Sequence, residues 1–290
     1  MRITITVPAT SGNIGPGFDS LGLALNLYNQ FSFELSNCWE FIGFSEKYQT
    51  DDNLVVKSMI KTYEIAKATV RPCRISLTQC IPVARGLGSS ASCIVAGVVA
   101  ANFYLNKYFN DSEILNIATA IEGHSDNVAP ALYGSLICSY RQNKEVRFIK
   151  YSVNESLIFT AAIPNFTLPT VKARAALPSS MDYENIVYSL SRAINIPYVL
   201  KRGETEKLFY LLDDRLHQPY RLPLIKESQK FRHFSRQYKI PFWISGSGPT
   251  LMFVSKQNIV YLLESLPLDY KWQFITLSVN HEGTRVEEYK

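Results

Sequence analysis

Between an apolar strand-like segment and an apolar helix-like one, the chain inserts PVARGLGSSAS, Pro82 to Ser92. Glycines admit backbone conformations closed to other residues, and the first turn of the following helix has unpaired N–H groups and a partial positive charge. Such a junction commits the chain to a strand–loop–helix unit whose loop can approach a ligand with main-chain donors. The best-known phosphate loop, G-x-x-x-x-G-K-[ST], has a lysine where this chain has Ser89. A phosphate bound by Gly86, Gly88, Ser89, Ser90 and Ala91 therefore needs its positive field from elsewhere. Arg85 reads either as that cation or as a solvent-facing residue before the glycines. A serine-capped turn without a ligand is the plainer alternative, against which a second serine after G-L-G counts, since its hydroxyl can face a metal ion.

The rest of the chain supplies an α+β frame. Ile3, Ile5 and Val7 alternate with polar residues into a strand that Pro8 is expected to end. A loop with three glycines follows, Thr10 to Gly17, then a second strand on Leu21, Leu23, Leu25 and Leu27. Asp51, Asp52 and Asn53 offer N-caps to a helix with an apolar face on Val56, Ile60 and Tyr63. Helices are expected over 91–105, 111–122, 182–200, 204–213, 224–237 and 257–266. Strands are expected around Ile75 and over 136–140, 146–151, 157–163, 241–245, 250–254 and 273–279. A length of 290 residues suits two domains, with a boundary near 155–165 that divides 1–160 from 161–290 and a cleft between them.

Composition removes several classes of function. The excess of 30 basic over 25 acidic residues is mild and evenly spread, so no nucleic-acid partner is expected. The five cysteines are odd in number and contain no C-x-x-C pair, which argues for reduced, buried thiols rather than a disulfide frame or zinc site. No apolar run approaches a membrane span, and a soluble, cytoplasmic protein follows as the expectation.

Glu122 is the best partner for Ser90. It ends one helix and opens EGHSDNVAP, a polar cluster ahead of the next strand. Magnesium takes oxygen ligands and usually only one or two carboxylates, so Ser90 and Glu122 fit it as metal ligands. Taken without its neighbours, His124 reads first as a packed or capping histidine.

PATSGNIGPGFDSLGLALNLYN (8–29), PVARGLGSSAS and SGSGPT (245–250) resemble, in order, the three signature motifs of the GHMP small-molecule kinases. Within that superfamily EGHSDNVAPALYG, PTVKARAALP and LHQPYR are most similar to the homoserine kinase family. The departures, Gly12, Ile14 and Ser135, remove no functional group. The resemblance implies an α+β GHMP kinase fold. It has an N-terminal ribosomal protein S5 domain 2-like domain, a C-terminal ferredoxin-like domain and the active site in the cleft between them. It also implies ATP and Mg2+ as cofactors, L-homoserine as small-molecule substrate, and a homodimer. Asn53, Leu54 and Val55 would wall the adenine pocket, and Pro82, Val83, Ala84, Arg85, Gly86, Leu87, Gly88, Ser89, Ser90, Ala91 and Ser92 would hold the phosphates. Arg174 and Arg221 would take the substrate carboxylate, Asn13 and Asp19 its other polar groups, with His124, Asp126 and Asn127 beside them. Ser90 and Glu122 would be catalytic through the metal, with Asp126 a weak candidate base. The SGSGPT glycines would pack against the phosphate loop, although a plain hairpin fits the same letters. Another GHMP-type kinase, for a mevalonate- or shikimate-like substrate, and a nucleotide-binding regulator without catalysis are the rival readings.

Overall fold

The computed structural model of the chain describes residues 1–289. Its first half contains β1 (Arg2–Gly12), β2 (Leu21–Leu35), β3 (Glu40–Ile42), α1 (Leu54–Ile65), β4 (Cys73–Gln79), α2 (Ser89–Tyr104), α3 (Asp111–Glu122), α4 (Val128–Tyr133), β5 (Leu136–Gln142) and β6 (Glu145–Tyr151). The second half contains β7 (Ile158–Pro164), α5 (Thr170–Ala175), α6 (Tyr183–Ala193), α7 (Ile196–Arg202), α8 (Thr205–Leu211), α9 (Gln218–Arg221), α10 (Ser228–Tyr238), β8 (Phe242–Ile244), β9 (Leu251–Ser255), α11 (Val260–Glu264), β10 (Trp272–Leu277) and β11 (Arg285–Tyr289).

Two sheets result. One is seven-stranded, with β11-β1-β2-β4-β3 in order and β5 and β6 extending from β2; the other is four-stranded, in the order β10-β7-β9-β8. The first sheet covers α1, α2 and α3 with Ile3, Ile5, Val7, Phe31, Phe33 and Ile75. A second core joins the two sheets, with Ala9, Leu21, Leu23 and Leu25 meeting Phe159, Ala161, Trp243, Met252 and Val254. Leu251 and Phe253 point the other way from β9, toward Phe231 and Phe234 of α10. The four-stranded sheet is thus buried on both faces, which explains the unbroken apolar run Leu251-Met252-Phe253-Val254.

A register break lets one strand serve two cores. Pro8 pairs with Tyr28 but Ala9 with Leu25, so β1 skips Asn26 and Leu27. Past that break, odd-numbered residues face the inter-sheet core instead of the helices, a re-aiming that bulges provide. Pro8 sits at the break and β1 continues to Gly12, so the expected strand end is corrected; proline lacks a donor but is tolerated where the ladder is already interrupted.

Other expectations shift for local reasons. The helix expected over 182–200 is two helices, α6 and α7, because Pro197 at the start of α7 has no N–H to continue the preceding ladder. Sheet membership changes between Tyr151 and Ile158, so the expected cut at 160/161 falls inside β7, and β11 returns from the C-terminal side to pair with β1. Of the five cysteines, which are all free, only Cys73 is fully buried, and Cys38 and Cys80 are exposed. Among the described residues no helix is long and apolar enough to cross a membrane.

The close approach of α2 to α1 sets where the Pro82–Ser92 loop delivers its helix. A Cβ added at Gly97 would overlap the Val55 carbonyl oxygen and stand 2.8 Å from the Ser58 Cβ. Alanine favours a helix by about 1 kcal/mol over glycine, while overpacking costs about 1–3 kcal/mol. Gly97→Ala is therefore expected to lower stability in chemical denaturation despite its better helix propensity, and a stabilised variant would contradict this packing.

Candidate active site

Three glycine-containing loops close on one another at the junction of the sheets. Thr10 N–H donates to the Leu87 carbonyl (3.1 Å), Thr250 N–H to Arg85 (3.2 Å) and Gly246 N–H to Gly12 (3.1 Å). Ser245 Oγ donates to the Gly86 carbonyl at 2.6 Å. Gly86 has φ +80°, and a Cβ there would run into the carbonyls of Ser245 and Gly248. The SGSGPT segment is therefore a turn between β8 and β9 that packs directly on the phosphate-loop candidate, as expected.

These loops wall a cleft of about 310 Å³. It is lined by Asn53, Leu54, Val83, Ala84, Arg85, Gly86, Gly88, Ser89 and Ser90 among the expected nucleotide residues. Asn13, Asp19, Glu122, His124, Asp126, Asn127, Arg174 and Arg221 line the same cleft. Five expected nucleotide residues do not. Val55, Leu87, Ala91 and Ser92 are fully buried, and Pro82 is not among the lining residues. Successive residues of a helix point about 100° apart, so a continuous motif cannot turn every member to one ligand. Ser92 instead accepts from Asn29 Nδ2 (3.0 Å) and donates to the Ser89 carbonyl (2.8 Å).

Phe44, Tyr48 and Leu77 line the cleft without having been singled out in the sequence. They give it an apolar surface suited to a planar ring. Phe44 and Tyr48 come from the stretch before α1 and Leu77 from β4. Asn53 is both a cleft residue and the cap of α1, accepting from Val55 N–H at 2.9 Å.

Gly88 caps α2 in the left-handed conformation (φ +73°), leaving Ser89 and Ser90 at the helix start. Ser90 Oγ donates to Glu122 Oε1 at 2.6 Å. Burial raises the Glu122 carboxyl above its usual range, against the pull of the Ser90 hydrogen bond. Glu122 also ends α3, where the partial negative charge of a helix C-terminus disfavours a carboxylate. A cation beside this hydroxyl–carboxylate pair would relieve both costs, and the all-oxygen donor set suits Mg2+. Arg85 is not free in solvent: Nε and Nη2 donate to the carbonyls of Pro164 (2.9 Å) and Asn165 (3.0 Å), tying the loop to the end of β7.

The polar cluster is held by paired charges. Arg174 makes a bidentate pair with Asp19, 3.0 and 2.8 Å, so one of the two expected carboxylate holders already has a carboxylate. Asn13 links that pair to the third loop, accepting from Asp19 N–H (2.9 Å) and donating to the Gly246 carbonyl (2.6 Å). Asp126 is 1% exposed and has both oxygens engaged, by His124 Nδ1 at 2.6 Å and Asn127 Nδ2 at 3.2 Å. Asp19, His124 and Asp126 bring ligand atoms within 4.8 Å of one another. That trio is distinct from Ser90 and Glu122, and the Arg174 pairing already balances the charge of Asp19.

Arg221 stands apart. It is 1% exposed, and its hydrogen bonds go to the Ala173 carbonyl from Nε (3.2 Å), and to the Gly246 carbonyl and His217 Nδ1 from Nη1 (3.4 Å each). Among the described residues no carboxylate lies within ion-pair distance of it. Burial lowers its pKa first, and the neighbouring Arg174 lowers it further. The charges of Asp19, Asp126 and Asp214 offset part of this from beyond ion-pair distance, and a ligand carboxylate in the cleft would supply the direct partner that a buried cation otherwise lacks.

A family model described as the GHMP kinases N-terminal domain matches residues 53–135. Homoserine kinase of Clostridium botulinum (strain Kyoto / Type A2) is 38% identical, with 99% of each chain covered. Homoserine kinase of Clostridium beijerinckii is likewise 38% identical over 99% of both chains. Among solved structures, homoserine kinase from Cytophaga hutchinsonii superposes with a TM-score of 0.86 at 25% identity, covering 99% of this chain and 97% of that one.

The cluster also sets a pH dependence. Burial alone would lower the His124 pKa, but the Asp126 hydrogen bond and the charges of Asp126, Glu122 and Asp19 outweigh it and raise the value above 6.5. A raised folded-state pKa contributes stability that is complete below the unfolded value and is lost as pH rises through the folded one. His124→Gln should therefore destabilise the chain more near about pH 6 than near about pH 9. Equal losses in urea denaturation at the two pH values would contradict a charged His124.

Proposed function

The chain belongs to the homoserine kinase family of the GHMP kinases, and from that premise we propose how its residues carry out the family's reaction. That reaction is the ATP-dependent phosphorylation of the L-homoserine side-chain hydroxyl to O-phospho-L-homoserine, in threonine biosynthesis. The observation that carries the assignment of the substrate end is Arg221, a buried guanidinium with no carboxylate of its own. It receives the homoserine carboxylate, a geometry that suits a planar guanidinium. Asp19, anchored by Arg174 and Asn13, takes the ammonium group, and His124 and Asn127 complete the polar wall.

ATP lies along the remaining lining. Its ring packs on Phe44, Tyr48 and Leu54 beside Asn53, and its phosphates meet the backbone of Gly86, Gly88, Ser89 and Ser90 at the start of α2. Ser90 and Glu122 hold Mg2+, which when bound neutralises charge on the phosphate oxygens. Phosphoryl transfer asks mainly for this positioning and charge neutralisation. Asp126 is the candidate base; each of its oxygens accepts one hydrogen bond, from His124 and from Asn127, and keeps a second lone pair for the hydroxyl proton. Direct transfer to the phosphate asks nothing of it.

We infer two domains built on the two sheets, a cytoplasmic location and a homodimer. For the last, Val187 and Leu190 of α6 and Ile194 at its C-cap offer a surface, an exposed apolar stripe.

A coupled assay with ATP, Mg2+ and a panel of small alcohols including homoserine, mevalonate and shikimate tests the substrate. Homoserine is expected to be turned over in clear preference to the others. Arg221→Ala is expected to cost about 2–5 kcal/mol of homoserine binding, seen as a raised KM with the KM for ATP unchanged. An unchanged homoserine KM would remove Arg221 from the substrate site.

A further inference from the structure

Arg221 lies on α9, a single turn of four residues, too short to hold a side chain rigidly by itself. What holds that turn is Asp214, 4% exposed. Its Oδ1 accepts from Leu216 N–H at 2.6 Å, and its Oδ2 accepts from His217 N–H at 2.9 Å and Gln218 N–H at 2.8 Å. One buried carboxylate thus caps the turn and satisfies three backbone donors that the short helix leaves open.

His217 is fully buried at the start of this turn. Its Nε2 lies 2.8 Å from the Gly15 carbonyl, which can only accept, so Nε2 carries the proton. Burial lowers its pKa and keeps the ring neutral, although the Asp214 charge pulls the other way. Nδ1 is then a bare lone pair, and it faces Arg221 Nη1 at 3.4 Å.

The ring is also clamped from the first glycine loop. Phe18 stacks on His217 with centroids 5.3 Å apart and an interplanar angle of 29°. The Arg221 Cζ lies 5.1 Å from the Phe18 centroid and that of Arg174 5.7 Å. With Nε on Ala173 and Nη1 shared by His217 and Gly246, Arg221 has one donor of each of its two bidentate edges engaged by the protein. Nη2 has no hydrogen-bond partner among the described residues, nor does it count among the buried orphaned atoms. It is the corner left for a ligand in the cleft that Arg221 lines.

We propose that His217 is a positioning residue for the substrate-binding arginine. Asp214 folds the turn, the Gly15 carbonyl fixes the His217 tautomer, and the bare Nδ1 orients the Arg221 guanidinium so that Nη2 faces the substrate carboxylate. A neutral imidazole suits this role, since a carboxylate in its place would pair with Arg221 and neutralise it, and an imidazolium would repel it. The inference rests on the reading of Arg221 as the carboxylate holder.

The test compares His217→Phe, which keeps the ring stacking but removes the acceptor, with His217→Gln, whose amide oxygen can restore one. KM is independent of the fraction of enzyme that folds, so both variants remain readable in partly folded preparations. His217→Phe should raise the homoserine KM by about tenfold, the scale of a hydrogen bond to a charged group, and leave the ATP KM unchanged. His217→Gln should recover much of that loss. If both variants keep the wild-type homoserine KM, or if both raise it equally, the orienting role of Nδ1 is wrong. Arg221→Ala measured alongside separates the two claims: a raised KM there with an unchanged one in His217→Phe sinks only the present inference. An unchanged KM in Arg221→Ala sinks the reading beneath it.

Discussion

A guanidinium removed from water with no carboxylate beside it is the constraint on which the site turns. Arg221 meets two carbonyls and one imidazole nitrogen, all neutral, while its neighbour Arg174 already holds Asp19. Folding such a charge into the protein costs stability unless something returns the lost counter-charge. On the proposed reading a carboxylate-bearing ligand offsets that cost, and selectivity would follow from the same contact. A ligand without the carboxylate leaves the cation as it was.

Everything around Arg221 holds it in that state. β1 changes register at Pro8 and carries its loop into the junction between the sheets. There the backbone of Gly12 meets that of Gly246, and Leu87 that of Thr10. Glycine at position 86 is required by contact with carbonyls on the opposite loop, so the Pro82–Ser92 loop and the β8–β9 turn form one wall. The inter-sheet core beneath, from Ala9 to Trp243 and Val254, makes that wall rigid.

The sequence disclosed those parts whose chemistry is tied to letters. The glycine–serine loop and Glu122 at its helix end stand out because few residue types can replace them, while the two arginines are marked only by the resemblance of their motifs to the homoserine kinases. Parts set by three-dimensional direction did not stand out. Val55, Leu87, Ala91 and Ser92 lie within or beside motifs yet face the core, because a helix or a turned loop presents only some members to a ligand. Phe44 reaches the cleft from a bend and Tyr48 from a single 3-10 turn, Glu46–Tyr48, both too short to show a period. β11 escaped detection because Arg285–Tyr289 is an exposed edge strand with little apolar alternation. The break between α6 and α7 is marked by Pro197, which interrupts the helix within a continuous apolar pattern.

The measurement that bears most directly on the unpaired cation compares two ligands that differ by one group. Thermal unfolding of the wild-type chain can be followed with homoserine and with 3-aminopropan-1-ol, which keeps the hydroxyl and the amine but lacks the carboxylate. Homoserine should raise the midpoint progressively with concentration, as a ligand of the native state does, while the amino alcohol should leave it nearly unmoved. Equal shifts with both would contradict a site organised around a buried guanidinium that awaits a carboxylate.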